Sequence, residues 1–232
     1  DLDAVQRRQE KLNKEAKRGN KEAAALMDII AKIEPHLGEG KPAITCELTS
    51  DEAALAKQLY LLSSKPNLFA ANVKDSELAE AENNPFVTKV RGYAAEHHSC
   101  ETVVISAQIE SELIDLSDEE AGEFLSEMGV KESGVGQLIQ KSYSLLGLQT
   151  YFTTGEKESR AWTIRKGDTA PKAAGVIHGD FERGFIKAET VAYTDLIECG
   201  SIAAARDSGL YRMEGKEYVV QEGDVMLFKF NV

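Results

Sequence analysis

The sequence predicts an α/β protein built from a helical coiled-coil hairpin, an open α/β segment and a small mixed sheet. Three observations predict it. Apolar residues in the first 37 positions recur at alternating spacings of three and four, the seam of a coiled coil. Two short apolar runs, Leu68 to Ala71 and Val103 to Ile105, end in polar loops, as strands of open sheets do at a ligand crevice. Beyond residue 148 or so, strand-like runs such as Arg160 to Arg165 are divided by Gly-containing turns.

Taken in order, Leu2, Val5, Gln9, Leu12 and Ala16 form the first seam, and Ala23, Leu26, Ile30, Ile33 and Leu37 the second. Gly19 suits a helix C′ position and Asn20 an N-cap, while Pro35 and Gly38-Glu39-Gly40 close the second arm. Thr49 and Glu52 predict a capping box for a helix running to about Leu62. A buried strand over 67–72 follows. Asn83-Asn84-Pro85 opens a helix over roughly 86–96 with Phe86, Val90 and Tyr93/Ala94 on one face, ended by His97-His98. A strand over 102–106 leads to an acidic amphipathic helix within 110–127 and to another helix over 134–146. Further on, strands are expected at 160–165 and 184–193, a helix at 169–177 entered through Pro171, and two strands within 218–230 around Glu222-Gly223-Asp224. That last stretch suits a β-grasp arrangement.

Composition narrows the function. With a net charge of −12, general wrapping of nucleic acid is excluded, although local patches remain able to bind RNA. From residue 148 onward there are 11 basic and 13 acidic residues, so acidity is concentrated before it. Cys46, Cys100 and Cys199 are far apart, with no Cys-x-x-Cys, which excludes a zinc ribbon and fits a reducing cytoplasm. No apolar run approaches the roughly 18 residues of a membrane helix. Neither a membrane nor DNA is an expected partner, and no metal site is expected: His97 and His98 lack a ligand cluster around them.

Asn72-Val73-Lys74-Asp75 is the chemically informative loop. In GTPase-type folds an Asn-x-x-Asp loop reads a purine: the amide can both donate and accept, and the carboxylate can accept guanine's two N–H groups. Ser106-Ala107 resembles the small-residue loop packing the base from the other side. An ordinary strand-end turn is the alternative reading. The phosphate-cradling Gly-x-x-x-x-Gly-Lys-[Ser/Thr] is absent, Gly38-Glu39-Gly40-Lys41-Pro42 being the nearest approach. At the hairpin tip, Arg7, Arg8, Lys11, Lys14, Lys17, Arg18 and Lys21 face only Glu10, Glu15 and Glu22. That reversal of charge points to a phosphate backbone, or to a solvated face with pairs such as Glu10–Lys14. His178, Asp180, Phe181, Arg183 and Phe185 invite an acid/base reading, yet no nucleophile accompanies them, and packing explains them as well.

Longer stretches carry a resemblance. Leu148 to Gly155, Arg160 to Gly167, Thr169 to His178, Asp180 to Glu189 and Gly223 to Val232 resemble the C-terminus of the YchF/Obg-like ATPases, P-loop proteins of the Obg-related translation-factor class. The resemblance extends over essentially the whole chain. It implies a coiled-coil hairpin (1–40) inserted in a partial P-loop, GTPase-like α/β domain (41–147), followed by a β-grasp TGS domain (148–232). It also implies ATP hydrolysis in preference to GTP, ribosome association, and ATP with Mg²⁺ in the complete protein. Asn72 would contact the purine, Val73 would offer backbone to it, and Ser106 and Ala107 would line the pocket. Asp75 stands where the family usually has Glu and is the guanine-reading residue, whereas Val73, in place of the GTPase lysine, favours the ATP-binding relatives. The P-loop and the Mg²⁺-binding threonine would precede Asp1, so no catalytic residue is assigned, and this chain alone is expected to be inactive with nothing bound. A nucleotide-independent RNA- or ribosome-binding module, docking through the basic tip, is the alternative.

Overall fold

The computed structural model describes residues 1–98, 100–155 and 158–231, with the side chain of His98 left aside. Two compact units divide the chain, one from Asp1 to Ser142 and one from Tyr143 onward.

The first unit opens with α1 (Leu2–Ala16) and α2 (Lys21–Gly38), joined where Gly19 takes φ +89 and Asn20 Oδ1 accepts the Glu22 and Ala23 N–H groups at 3.0 and 3.1 Å. Val5, Leu12, Ala23, Leu26, Ile30 and Ile33 are buried along the expected seam. Across it Glu34 accepts from Gln6 and Gln9 at 3.1 and 3.2 Å. Ile29 is buried too, because α2 has a second apolar face against Ala43, Leu55 and Leu61. Pro35 lies inside α2 rather than ending it: so near the C-terminus, its missing N–H costs one bond and the helix runs on to Gly38.

Thr49 and Glu52 form the expected capping box at the head of α3 (Ser50–Ala56). The helix stops earlier than Leu62, passing through a 3-10 turn to Tyr60, whose φ of +53 breaks it. Strands β1 (Phe69–Asn72) and β2 (Thr102–Ile105) then pair in parallel, Asn72 opposite Ile105, with α4 (Pro85–His98) crossing between them. β1 is not the buried strand expected; its residues alternate between half-buried and exposed. The inward stripe of α4 is shifted by one residue: Val87 and Ala94 are buried, whereas Phe86 and Tyr93 are 74% and 51% exposed. Asn84 sets that register by accepting the Phe86 N–H at 2.9 Å.

The acidic stretch is two helices, α5 (Ala107–Leu113) and α6 (Asp118–Glu127), rather than one. Ser117 restarts the chain with a capping box, its N–H donating to Glu120 at 2.9 Å. α7 (Gly134–Leu145) leads out of the unit. No helix among the described residues is long and apolar enough to cross a membrane.

The second unit holds β3 (Leu148–Thr154), β4 (Ser159–Arg165), α8 (Ala170–Ile177), α9 (Gly179–Arg183), β5 (Phe185–Ala192), α10 (Tyr193–Cys199), α11 (Ile202–Asp207), β6 (Arg212–Glu214) and β7 (Asp224–Phe230). Their sheet order, β4-β3-β7-β5-β6 with β3 parallel to β7, is that of a β-grasp. One core packs Tyr151, Ile164, Ala188, Met226 and Phe228 against Ala170, Ala173 and Ala174 of α8. A smaller one places Val191 and Val225 against Ala205 of α11. The fully buried Tyr151 hydroxyl donates to the Ala173 carbonyl at 2.9 Å, and burial pushes its pKa far up.

The expected strand before Glu222 does not form. The buried Asp224 carboxylate accepts from the Tyr218 hydroxyl at 2.7 Å and the Gln221 N–H at 2.9 Å, folding 218–222 into a turn; the Gln149 amide of β3 donates to its Val220 carbonyl at 2.7 Å, and Val219 bridges to Thr169 at the head of α8. At the far end, a Cβ on Gly184 would lie 2.2 Å from the Asn231 carbonyl oxygen, so the close approach of these backbones requires glycine.

Candidate functional site

The Asn-x-x-Asp loop sits at the C-terminal end of the parallel pair, where open α/β sheets place ligands. Asn72 is the last residue of β1, and its side chain is exposed. Its Oδ1 accepts the Ala107 N–H at 2.9 Å, tying the end of β1 to the start of α5. The Val73 N–H donates to the Ile105 carbonyl at 2.9 Å, extending the ladder one residue past the strand. Its side chain packs with Ala81, Val87 and Val104. The loop is therefore anchored on both sides, and what Asn72 keeps free is the N–H₂ end of its amide.

Asp75, half-buried, opens a 3-10 turn (Asp75–Glu77), and its carbonyl accepts the Leu78 N–H at 3.1 Å. Ser106 is fully buried, and its hydroxyl has no hydrogen-bond partner among the described residues, whereas Ala107 is exposed. Behind them Gly134 closes the arrangement. Its N–H donates to Glu110 Oε1 at 2.7 Å, and a Cβ there would stand 2.7 Å from Ile105 Cγ2. Sequence reasoning missed Glu110 and Gly134; the Gly134-Val135-Gly136 pair after Lys131-Glu132-Ser133 was the signal.

Asn72, Val73 and Ala107 are thus brought together, with Asp75 three residues along the loop. Chemically the loop presents the Asn72 amide N–H₂, the Val73 carbonyl and, beside them, the Asp75 carboxylate. Among the described residues, no three His, Cys, Asp or Glu side chains are grouped to hold a metal.

The basic residues lie elsewhere. Arg7, Arg8, Lys11, Lys14, Lys17, Arg18 and Lys21 are all exposed, and none is in an ion pair among the described residues. Arg7 Nε donates to the Asp3 carbonyl at 3.2 Å, and the Glu10–Lys14 pair is not formed. Unpaired cations on one hairpin leave their charge available to an outside anion.

In the second unit the His178 group is structural. His178 caps α9, its Nδ1 accepting the Asp180 N–H at 3.2 Å, and Arg183 pairs with Asp180. Phe181 stacks on Phe230 with centroids 3.8 Å apart. Trp162 packs on the core, its Nε1–H donating to Thr153 Oγ1 at 2.9 Å.

The chain resembles known proteins along its whole length. Residues 148–231 match the family described as YchF-GTPase_C, a protein of unknown function. All 232 residues align with the protein named ribosome-binding ATPase YchF of Bacillus subtilis at 51% identity, and with that of Haemophilus influenzae at 45%. Obg-like ATPase 1 of rice is 35% identical over 233 aligned positions. The chain spans 63% of the length of the two bacterial proteins and 59% of the rice one. The solved structure of the Schizosaccharomyces pombe YchF GTPase matches 99% of this chain, over 62% of its own, with a TM-score of 0.79 at 34% identity. Residues 148–231 thus carry the YchF C-terminal domain, and the chain as a whole is similar from end to end to the YchF/Obg-like ATPases.

Proposed function

We propose that this chain is the base-reading and ribosome-docking part of a YchF-type ATPase working in the cytoplasm. Its parts would be the hairpin (1–40), the rear of the nucleotide domain (41–147) and a TGS domain (148–232). The observation that carries the nucleotide reading is the Asn72–Ala107 hydrogen bond. It consumes the amide oxygen, so Asn72 meets a ligand as a donor, which suits the N7 lone pair shared by adenine and guanine. Val73 and Ala107 have spent their N–H groups within the fold, leaving Val73 only its carbonyl to offer an exocyclic amine. Asp75 adds acceptors that match guanine's N1–H and N2–H₂, so GTP is accommodated alongside ATP.

Nucleotide triphosphate with Mg²⁺ would supply the hydrolytic chemistry in a protein of the relatives' full length; positioning and charge stabilisation dominate such phosphoryl transfer. The residues of this chain orient the base. Alone it hydrolyses no ATP. In a full-length protein carrying this sequence, Asn72→Ala should weaken ATP binding about tenfold, as loss of a hydrogen bond of about 1.4 kcal/mol would. Unchanged affinity by calorimetry would remove the base-site assignment.

The seven unpaired cations favour a second reading, in which the chain docks on ribosomal RNA without nucleotide. Co-sedimentation with ribosomes at low salt, lost when Arg7, Arg8, Lys14 and Lys17 are changed to Glu and weakened at moderate salt, is the expected result. Absence of pelleting at both salt concentrations would tie docking to the nucleotide-bound full-length protein.

A further inference from the structure

The β-grasp sheet has two edges, β6 and β4. β6 is three residues long, too short to template another strand, whereas β4 runs for seven and pairs with β3 along its whole length. The bonds at its two ends fix which way its backbone groups point. Glu158 O accepts from Gly155 and Lys166 N donates to Gly147, so the even-numbered residues face β3. By the alternation of an antiparallel ladder, Ser159, Ala161, Thr163 and Arg165 direct their N–H and C=O groups outward. Among the described residues only the last is occupied: Arg165 N–H donates to Asp168 Oδ2 at 2.9 Å and its carbonyl accepts the Asp168 N–H at 3.0 Å.

Edge strands in folded proteins are ordinarily blunted by charged side chains, proline, bulges, brevity or a covering loop. Among the described residues β4 has only the charges, which repel a cationic strand or a second copy but not an acidic one. Ser159, Arg160, Ala161 and Thr163 are exposed, and the outward-facing residues 159–163 are small. Cations flank the edge: Arg160, its guanidinium 4.7 Å from the Trp162 ring centroid, then Arg165 and Lys166. A second copy pairing here would double those charges along one seam, and like charges on neighbouring strands are destabilising.

We propose that the outer edge of β4 is a docking site for an extended, acidic peptide segment of a partner protein, which adds to the sheet as a sixth strand. Main-chain bonds to Ala161 and Thr163 supply the pairing, and Arg160, Arg165 and Lys166 select carboxylate-bearing sequences. The residues of the site all belong to the second unit.

The test uses the whole chain and fluorescein-labelled (Glu-Val)₄, with (Lys-Val)₄ and single-stranded oligouridylate as comparisons. The acidic peptide should bind and slow amide exchange at Ala161 and Thr163, while (Lys-Val)₄ does not. Ala161→Pro removes an outward N–H without touching the β3 ladder and is tolerated on an edge; it should weaken binding at least tenfold. The Arg160→Glu, Arg165→Glu double variant, which leaves the backbone alone, should do the same. The proposal is overturned if (Glu-Val)₄ fails to bind at millimolar concentration or binds without protecting Ala161 and Thr163. It is equally overturned if oligouridylate binds in an Arg160-dependent manner while the acidic peptide does not.

Discussion

On the proposed base-site reading, Asn72 divides one amide between fold and ligand: the oxygen holds Ala107 and the nitrogen is left for the base. Its replacement therefore removes a ligand donor and a loop tether together, and the ATP-binding loss predicted for Asn72→Ala should come with faster exchange of the Ala107 amide. Elsewhere, Tyr218 is governed by burial first and then by its hydrogen bond to Asp224, which together push its pKa up to about 12. The neutral phenol is the form the fold prefers. Its stabilising contribution is complete below the unfolded value near 10 and is lost as pH rises from there through about 12. Tyr218→Phe should flatten part of that alkaline fall in denaturation experiments, with the more deeply buried Tyr151 responsible for another part. Gly184→Ala forces a methyl into the Asn231 carbonyl, a backbone that cannot rotate away. Such overpacking should cost about 1–3 kcal/mol, read as a lower urea midpoint at unchanged slope.

Among the elements, α7 has an effect beyond its own length. Gly134 lets its first turn rest on Ile105, the last residue of β2 and the acceptor for Val73. Gly134→Ala should therefore lower stability and, in the full-length protein, nucleotide affinity as well, although the residue touches no ligand. Loss of affinity without loss of stability would contradict the packing argument. The sequence made some elements plain and hid others for identifiable reasons. The hairpin was legible because its seam recurs over nine apolar positions and one glutamine, and its cap residues sit where the pattern breaks. Ile29 was missed because a seam describes one partner, and α2 has two. The break at Ser117 was overlooked because eight acids drew attention to charge rather than to the Ser-x-x-Glu box among them. The extra strand near 219 was misread because apolar alternation says nothing about a buried carboxylate five residues on. In the Asn72 loop the strand end and the polar turn were legible, but the Asn72–Ala107 bond joins positions 35 apart, and no local pattern encodes that.

At the level of the molecule, the second unit contains both of its cores and every strand of its sheet. A fragment beginning at Tyr143 should fold by itself and unfold cooperatively, with the near-ultraviolet signal of the single tryptophan intact. Scanning calorimetry of the fragment would show one transition; a flat trace would mean that its cores need the rest of the chain. Charge is also distributed by part. The hairpin cations lie on a chain whose net charge is −12, so binding to a polyanion should depend on salt more steeply than so acidic a protein would suggest. The bond between Asn72 and Ala107 has one more consequence. Because it and the Val73–Ile105 bond lie within the fold itself, the backbone on both sides of the loop is preorganised. On the proposed base-site reading a purine would have little backbone to immobilise, so its binding should carry a small conformational entropy penalty and proceed without a slow isomerisation step.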